Sequence, residues 1–435
     1  MELQIPFGNQ TIDIEIDLPA SQILVARSRN PSGTRGWADV VAEAIRAPVG
    51  AGRMSEQDLR GKRVAIITDD WGRPTPASEV IPLILEELKS TGVRDDDITF
   101  VTASGMHAPM SETDLARKLG DDAVSHHTCV SHDGGDWSSL RFYGVSPQGT
   151  PVWINRHVAD ADFRIAVGRI FPHEAYGYEG GYKIILPGVS GFDTITRDHS
   201  LNFSPDCYPG NHDNPARREA DAVGQMVGVD LLINAVVNEL GQPVKAFCGE
   251  PMEVHRIGIA YGDSEVWGAE VGRKADVVIA SPGAKSPADG CDTETLYRAA
   301  LVTKERGLVI CLAEQGTGFV PQEGNGVADG SLCGGVQSAF REALPSLAFS
   351  ELFRLHEKRD WPLPEREIQY RIKAVRGEFY RRRGMREIQK RRVALTLEPS
   401  DVLRRELACL DKGSARVIVL PEARTTLAKE KLFRA

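Results

Sequence analysis

The sequence predicts a mixed α/β protein of two domains whose sheets are mainly parallel. Two observations carry this. Segments of strand character alternate along the chain with segments of helical spacing, the order that βαβ crossovers produce. The chain is also 435 residues long, more than a single core commonly holds, and a polar break near 265–275 is followed by a new strand–loop–helix series. Domains are therefore expected over 1–270 and 271–435. In sheets of this kind ligands gather at the loops after strand C-termini.

The first residues alternate apolar and polar on both sides of Gly8-Asn9-Gln10, which reads as a hairpin. Residues 62–68 (KRVAIIT) read as a buried strand that ends at Asp69-Asp70. Residues 78–89 (SEVIPLILEELK) have helical spacing, and 98–101 (ITFV) form the next strand. Further strands are expected at 163–167, 184–186 and 277–280, and helices at 216–227 and 296–305. No internal repeat is present. Ten Lys/Arg against two Glu fall between Arg371 and Arg392. That run reads as a solvated helix face or an oligomer contact, and a homodimer is compatible with it. Nucleic-acid binding would need stacking aromatics or a recognised fold nearby, and only Phe379 and Tyr380 lie there.

Charge and cysteine content narrow the function classes. The 52 Lys+Arg and 61 Asp+Glu leave a net charge of −9 spread along the chain, which gives no pull toward nucleic acid or anionic lipid. The N-terminus lacks a signal-peptide layout, and no apolar run approaches the roughly 20 residues that span a bilayer. Seven scattered cysteines without a C-x-x-C argue against a disulfide scaffold or a cysteine–zinc site and point to the cytoplasm. His126-His127, adjacent and so expected to point apart on a strand, and His132-Asp133, a turn pair, lack zinc-ligand spacing.

Four segments carry the residue types that chemistry needs. Asp69-Asp70-Trp71-Gly72-Arg73-Pro74 follows a strand, so Asp70 can orient a proton carrier and Arg73 can grip a carboxylate with its planar fork. The bland alternative is a turn with a local Asp–Arg pair. Gly105-Met106-His107-Ala108-Pro109-Met110 places a histidine between a strand end and a helix capped at Ser111, where it can act as acid or base. The richest segment runs from Pro172-His173 through Gly177-Tyr178-Glu179-Gly180-Gly181-Tyr182-Lys183 to Pro187-Gly188. Its paired glycines let backbone approach a ligand, and Lys183 leads into an apolar strand that would favour the nucleophilic amine. A glycine-rich turn with a snorkelling lysine is the plainer account. The fourth segment ends in Arg197-Asp198-His199.

In this order the four segments resemble the nickel-dependent lactate racemase family, strongly over about 60–200 and more loosely beyond. The resemblance implies a nickel-pincer nucleotide, a pyridinium mononucleotide with two thio-acid groups whose two sulfurs and one ring carbon hold the nickel. By motif position Lys183 would be its thioamide tether and His199 the protein's nickel ligand. Asp70, Gly180 and Gly181 would line the cofactor or support its neighbours. His107 and His173 would be the acid/base pair, and Arg73 would hold the substrate carboxylate. The implied reaction inverts C2 of a 2-hydroxy acid: one histidine takes the hydroxyl proton while the α-hydride leaves and returns on the other face. Retaining the keto acid argues for an active site in an interdomain cleft. Partners would be the small-molecule acid and the proteins that make the cofactor.

Departures from the family pattern concentrate at the substrate end. Family members carry Thr at Gly72, Thr and Arg at Met106 and Ala108, a small residue at Glu179 and Arg at Tyr182. A second-domain Tyr-Gln-x-x-Lys reads here Tyr297-Arg298-Ala299-Ala300-Leu301. Tyr297 and Arg298 are therefore taken as substrate-binding, and the acid is expected to be other than lactate, such as a sugar acid or hydroxy diacid. The alternatives are a Schiff-base lyase using Lys183 and a non-catalytic cofactor-binding homologue.

Overall fold

The structure is a computed structural model that describes residues 1–434 apart from 8–9, 34, 74, 174, 203, 205, 284–292, 313–391, 395–398, 412 and 424. Of the basic run, only Arg392 falls among the described residues. The chain forms two compact units, Asn30–Val266 with Phe433–Ala435, and Met1–Arg29 with Trp267–Leu432.

The first unit is built on six strands: β1 (Val64–Asp69), β2 (Ile98–Ala103), β3 (Thr128–Ser131), β4 (Phe163–Ile170), β5 (Leu231–Val237) and β6 (Pro243–Gly249). Their order is β6-β5-β4-β1-β2-β3, parallel except for the β5–β6 pair. All six residues of β1 are buried, and its first four, VAII, are apolar without alternation, as a strand covered on both faces requires. Successive residues serve opposite faces. Ile66, Ile165 and Ile233 pack with helices α1 (Trp37–Arg46) and α2 (Ala77–Leu88). Ile67, Ala166 and Leu232 pack instead with Ile195 of α4 (Phe192–Leu201) and Ala220 and Val223 of α5 (Pro215–Val227). Between these helices in the chain lies α3 (Glu112–Leu119).

From β1 the chain winds outward through β2 and β3, then returns to place β4 on the other side of β1. The strand order therefore reverses between β1 and β4, and loops diverge there at the strands' C-terminal ends. Such a switch point is where open α/β sheets bind ligands. The Asp70 and Arg73 loop follows β1, the His107 loop follows β2, and the segment holding His173 and Lys183 follows β4.

The second unit carries a five-stranded parallel sheet in the order Arg392–Ala394, Thr303–Cys311, Ala275–Ala280, Val417–Leu420, Ile23–Val25. The N-terminal hairpin, Glu2–Phe7 with Gln10–Glu15, buries Ile5 and Ile14 in the same cluster as Leu403 and Leu407. The first 29 residues thus join the C-terminal segments rather than the 1–270 domain assigned from sequence, because Ile23–Val25 pairs with Val417–Leu420.

Three local expectations differ from the structure. Residues 184–186 form no strand: Gly181–Ile184 is a 3-10 turn, and turns continue to Val189. Ile185, Leu186 and Val189 are nonetheless fully buried, and a short apolar run cannot by itself separate a strand from a buried turn. The helix expected at 296–305 is Thr293–Leu301, and the chain turns at Val302 into strand Thr303–Cys311. His126 ends helix Asp121–His126 and His127 caps it, so neither histidine lies on a strand.

Candidate active site

The loop after β1 is held from beneath by a buried cation. Lys118 on α3 reaches Asp69 Oδ1 at 2.8 Å and donates to the carbonyls of Asp70 (3.1 Å), Arg73 (3.2 Å) and Thr75 (2.8 Å). Thr75 Oγ1 donates to the other Asp69 oxygen at 2.6 Å. Helix α3 begins with a capping box between Ser111 and Asp114, which fixes the end of the His107 loop. One lysine thereby ties together the loops that carry Asp70, Arg73 and His107. At the top, His107 Nδ1 lies 2.5 Å from Asp70 Oδ2 while its side chain is half exposed. Gly72 sits beside this pair, and a Cβ there would come within 3.1 Å of His107 Cε1.

Arg73 is already engaged by a carboxylate. Its Nε lies 2.8 Å from Glu179 Oε1, and its Nη1 donates to the Gly72 carbonyl at 2.8 Å. The second Glu179 oxygen accepts from Arg169 Nε at 2.7 Å. Arg169 comes from β4, so Glu179 bridges two guanidinium groups.

Tyr176 organises the remaining residues. Its hydroxyl donates to Asp198 Oδ2 and lies 3.4 Å from His199 Nδ1. Its ring faces Lys183 Nζ at 4.3 Å from the centroid and meets the His173 ring edge-on at 5.4 Å. His199 Nδ1 is 3.1 Å from Asp198 Oδ2, so Nδ1–H donates to the carboxylate and the lone pair resides on Nε2. His173 has the opposite arrangement. Its Nδ1 accepts from the backbone N–H groups of Ala175 (3.1 Å) and Tyr176 (3.4 Å), which leaves the proton of the neutral ring on Nε2.

The paired glycines serve the fold of this loop. Gly180 and Gly181 have φ of +80° and +62°, and Cβ atoms there would lie 2.6 Å from Asn234 Oδ1 and 2.9 Å from His255 Cγ. The backbone they bring close is to Asn234 and His255, and Gly181 N donates to Asn234 Oδ1 at 2.9 Å. Buried Arg217 on α5 stabilises the same loop, donating to the carbonyls of Tyr176 (3.4 Å), Tyr178 and Gly180 (3.2 Å). Burial, and then the charge of Arg217, holds His255 well below the usual histidine range, and its Nε2 donates to the Glu179 carbonyl at 3.0 Å.

Residues 7–207, the stretch that supplies this entire arrangement except Arg217, Asn234 and His255, match the lactate racemase N-terminal domain. The lactate racemase of Thermoanaerobacterium thermosaccharolyticum is 28% identical over 326 residues, 72% of this chain and 74% of that protein. The lactate racemase of Lactiplantibacillus plantarum is 30% identical over 261 residues, 59% of this chain and 61% of that one. Residues 7–207 thus carry a lactate racemase N-terminal domain, and the chain is similar to lactate racemases beyond it. Both relatives are racemases, a class of isomerase. The fold agrees: the lactate racemase apoprotein of T. thermosaccharolyticum superposes with a TM-score of 0.71 at 22% identity, over 99% of this chain and all of that one.

Lactate racemases use a nickel cofactor, and the residues present fit one that brings most of its own donors. Among the described residues no three His, Cys, Asp or Glu side chains are grouped to hold a metal. His199 offers a single oriented nitrogen, and beside it the buried Asp198 Oδ1 lacks a hydrogen-bond partner among the described residues. In the other unit Arg298 is 4% exposed on helix Thr293–Leu301. Tyr297 lies on the same helix, with its side chain outside the described residues. Sequence reading missed Tyr176, Asp198, Lys118, Arg169 and Arg217. Tyr176 and Asp198 sat next to residues already selected, and their proximity to His173 and His199 was the available signal. Among the described residues no helix is long and apolar enough to cross a membrane.

Proposed function

We propose that this chain is a racemase or epimerase acting at C2 of a 2-hydroxy acid, with a nickel-pincer nucleotide tethered to Lys183. The observation that carries the reading is the opposed hydrogen bonding of two loop histidines. His107 Nδ1–H donates to Asp70, so Nε2 of that ring is a base, while His173 receives backbone N–H groups at Nδ1 and presents an acidic Nε2–H. A neutral pair with one base and one acid is what inversion at a carbinol carbon requires, since one face loses the hydroxyl proton and the other restores it. Asp70 stabilises the imidazolium that forms on His107. His199 Nε2 would hold the nickel, with Asp198 and Tyr176 fixing its ring. When bound, the nucleotide supplies a site that accepts the α-hydride and gives it back. Arg73 would orient the substrate carboxylate with the N–H groups that Glu179 leaves.

Both curated relatives are named for lactate, so lactate is the first acid to test. A larger polar acid is the second reading, favoured by Ala108 and by the engagement of Arg73 with Glu179. Protein produced in a host that makes the cofactor is expected to carry an adduct on Lys183 by intact mass and to invert a 2-hydroxy acid with its C2 hydrogen retained in deuterated water. His107→Ala and His173→Ala should each abolish inversion with the adduct intact, and Lys183→Ala should lose it. An unmodified mass together with borohydride trapping of a carbonyl substrate on Lys183 would instead make the chain a Schiff-base lyase. Holo-protein that inverts no acid in a panel of lactate, malate and aldonic acids would make it a binding protein.

A further inference from the structure

We infer that Glu179 is a specificity-determining residue: its carboxylate fills the anion position between Arg73 and Arg169 and so disfavours acids small enough to depend on that pair alone. This deepens the reading above and rests on it for the role of Arg73. A guanidinium offers a carboxylate two double-donor edges, Nε with Nη2 and Nη1 with Nη2. In Arg73 the first edge has lost Nε to Glu179, and Nη1 spends one of its two N–H groups on the Gly72 carbonyl. The side-on fork that pairs Nε with Nη2 is therefore closed to a substrate carboxylate, and the Glu179 carboxylate occupies the position such a group would take. Arg169 is engaged in the same way, its Nε on the other Glu179 oxygen with its side chain 15% exposed.

The charges point the same way. Two guanidiniums around one carboxylate leave a net single positive charge, whereas a small residue at position 179 would leave two cations facing a space of carboxylate size. That space would suit the lone carboxylate of a short acid. With Glu179 present, a substrate must draw its affinity from additional polar groups elsewhere along its length, which selects longer hydroxy acids.

Binding of carbon-13 lactate to the full-length chain, followed by NMR, tests this without any need for turnover. Glu179→Ala and the shape-preserving Glu179→Gln should bind lactate at least tenfold more tightly than the parent. The gain should disappear in Glu179→Ala combined with Arg169→Gln, since it requires both guanidiniums. Equal or weaker lactate binding by a variant with the parent's thermal midpoint would overturn the inference and make Glu179 a structural clamp on Arg73. Failure of both variants to fold would overturn it in the same sense. Tight binding by the variants with no racemisation by loaded parent protein would sink the proposed function alone, and racemisation with unchanged binding would sink only the role of Glu179.

Discussion

At the scale of single residues, the proposed function rests on which nitrogen of each histidine carries the proton. Asp70 decides this for His107, and backbone N–H groups decide it for His173. Asp70→Asn keeps the volume but presents an amide that no longer stabilises the imidazolium. It is expected to lower kcat by about 10²-fold or more, with KM little changed and the Lys183 adduct intact by mass. Asp70, His107, His173, Lys183 and His199 stood out in the sequence as candidates because they recur in motif order around glycines and prolines. Their partners were less so. Glu179 looks like any loop glutamate until the fold sets Arg73 and Arg169 on either side of it.

At the scale of elements, the site loops are irregular, and buried cations do the work that ladders do in a sheet. Lys118 satisfies three carbonyls of the loop after β1, and Arg217 satisfies three in the loop after β4. Lys118→Met would leave Asp69 buried with its counter-charge gone. Breaking a buried pair from one side costs about 3–5 kcal/mol, so the urea midpoint should fall accordingly. A second element-level device is His132, which follows β3 and spans to the Ser190 carbonyl, its Nε2 at 2.9 Å. Burial pushes it down to about 4 from 6.5. Between those values the unfolded chain holds the additional proton, so stability falls as pH drops from 6.5 to 4, by about 3 kcal/mol, and is fully present above 6.5. Denaturant titrations across that range should show the slope, and His132→Gln should flatten it.

At the scale of the whole molecule, the chain ends cross between units. Phe433 belongs with Asn30–Val266: its N–H donates to Asp263 Oδ2 at 3.0 Å and its ring packs on His212 at 4.1 Å. Asp263 is fully buried and receives the Tyr178 hydroxyl at 2.5 Å, so the tail supports the strand pair that carries His173. Deleting residues 433–435 strips one donor from a buried carboxylate and should lower stability by about 1–3 kcal/mol, read as a lower melting temperature. The sequence by itself determined the α/β class, strands such as Val64–Asp69, Ile98–Ala103 and Phe163–Ile170, and a set of candidate site residues, since apolar runs, spacing and motif order are local properties of a chain. Only the tertiary structure decided that the N-terminal hairpin joins the C-terminal unit, that residues 184–186 are a buried turn, and that Glu179 stands between two arginines. The first and the last are contacts between distant segments, set by which strands and charges find one another when the chain closes, and the turn follows from burial that a short apolar run does not assign to a strand.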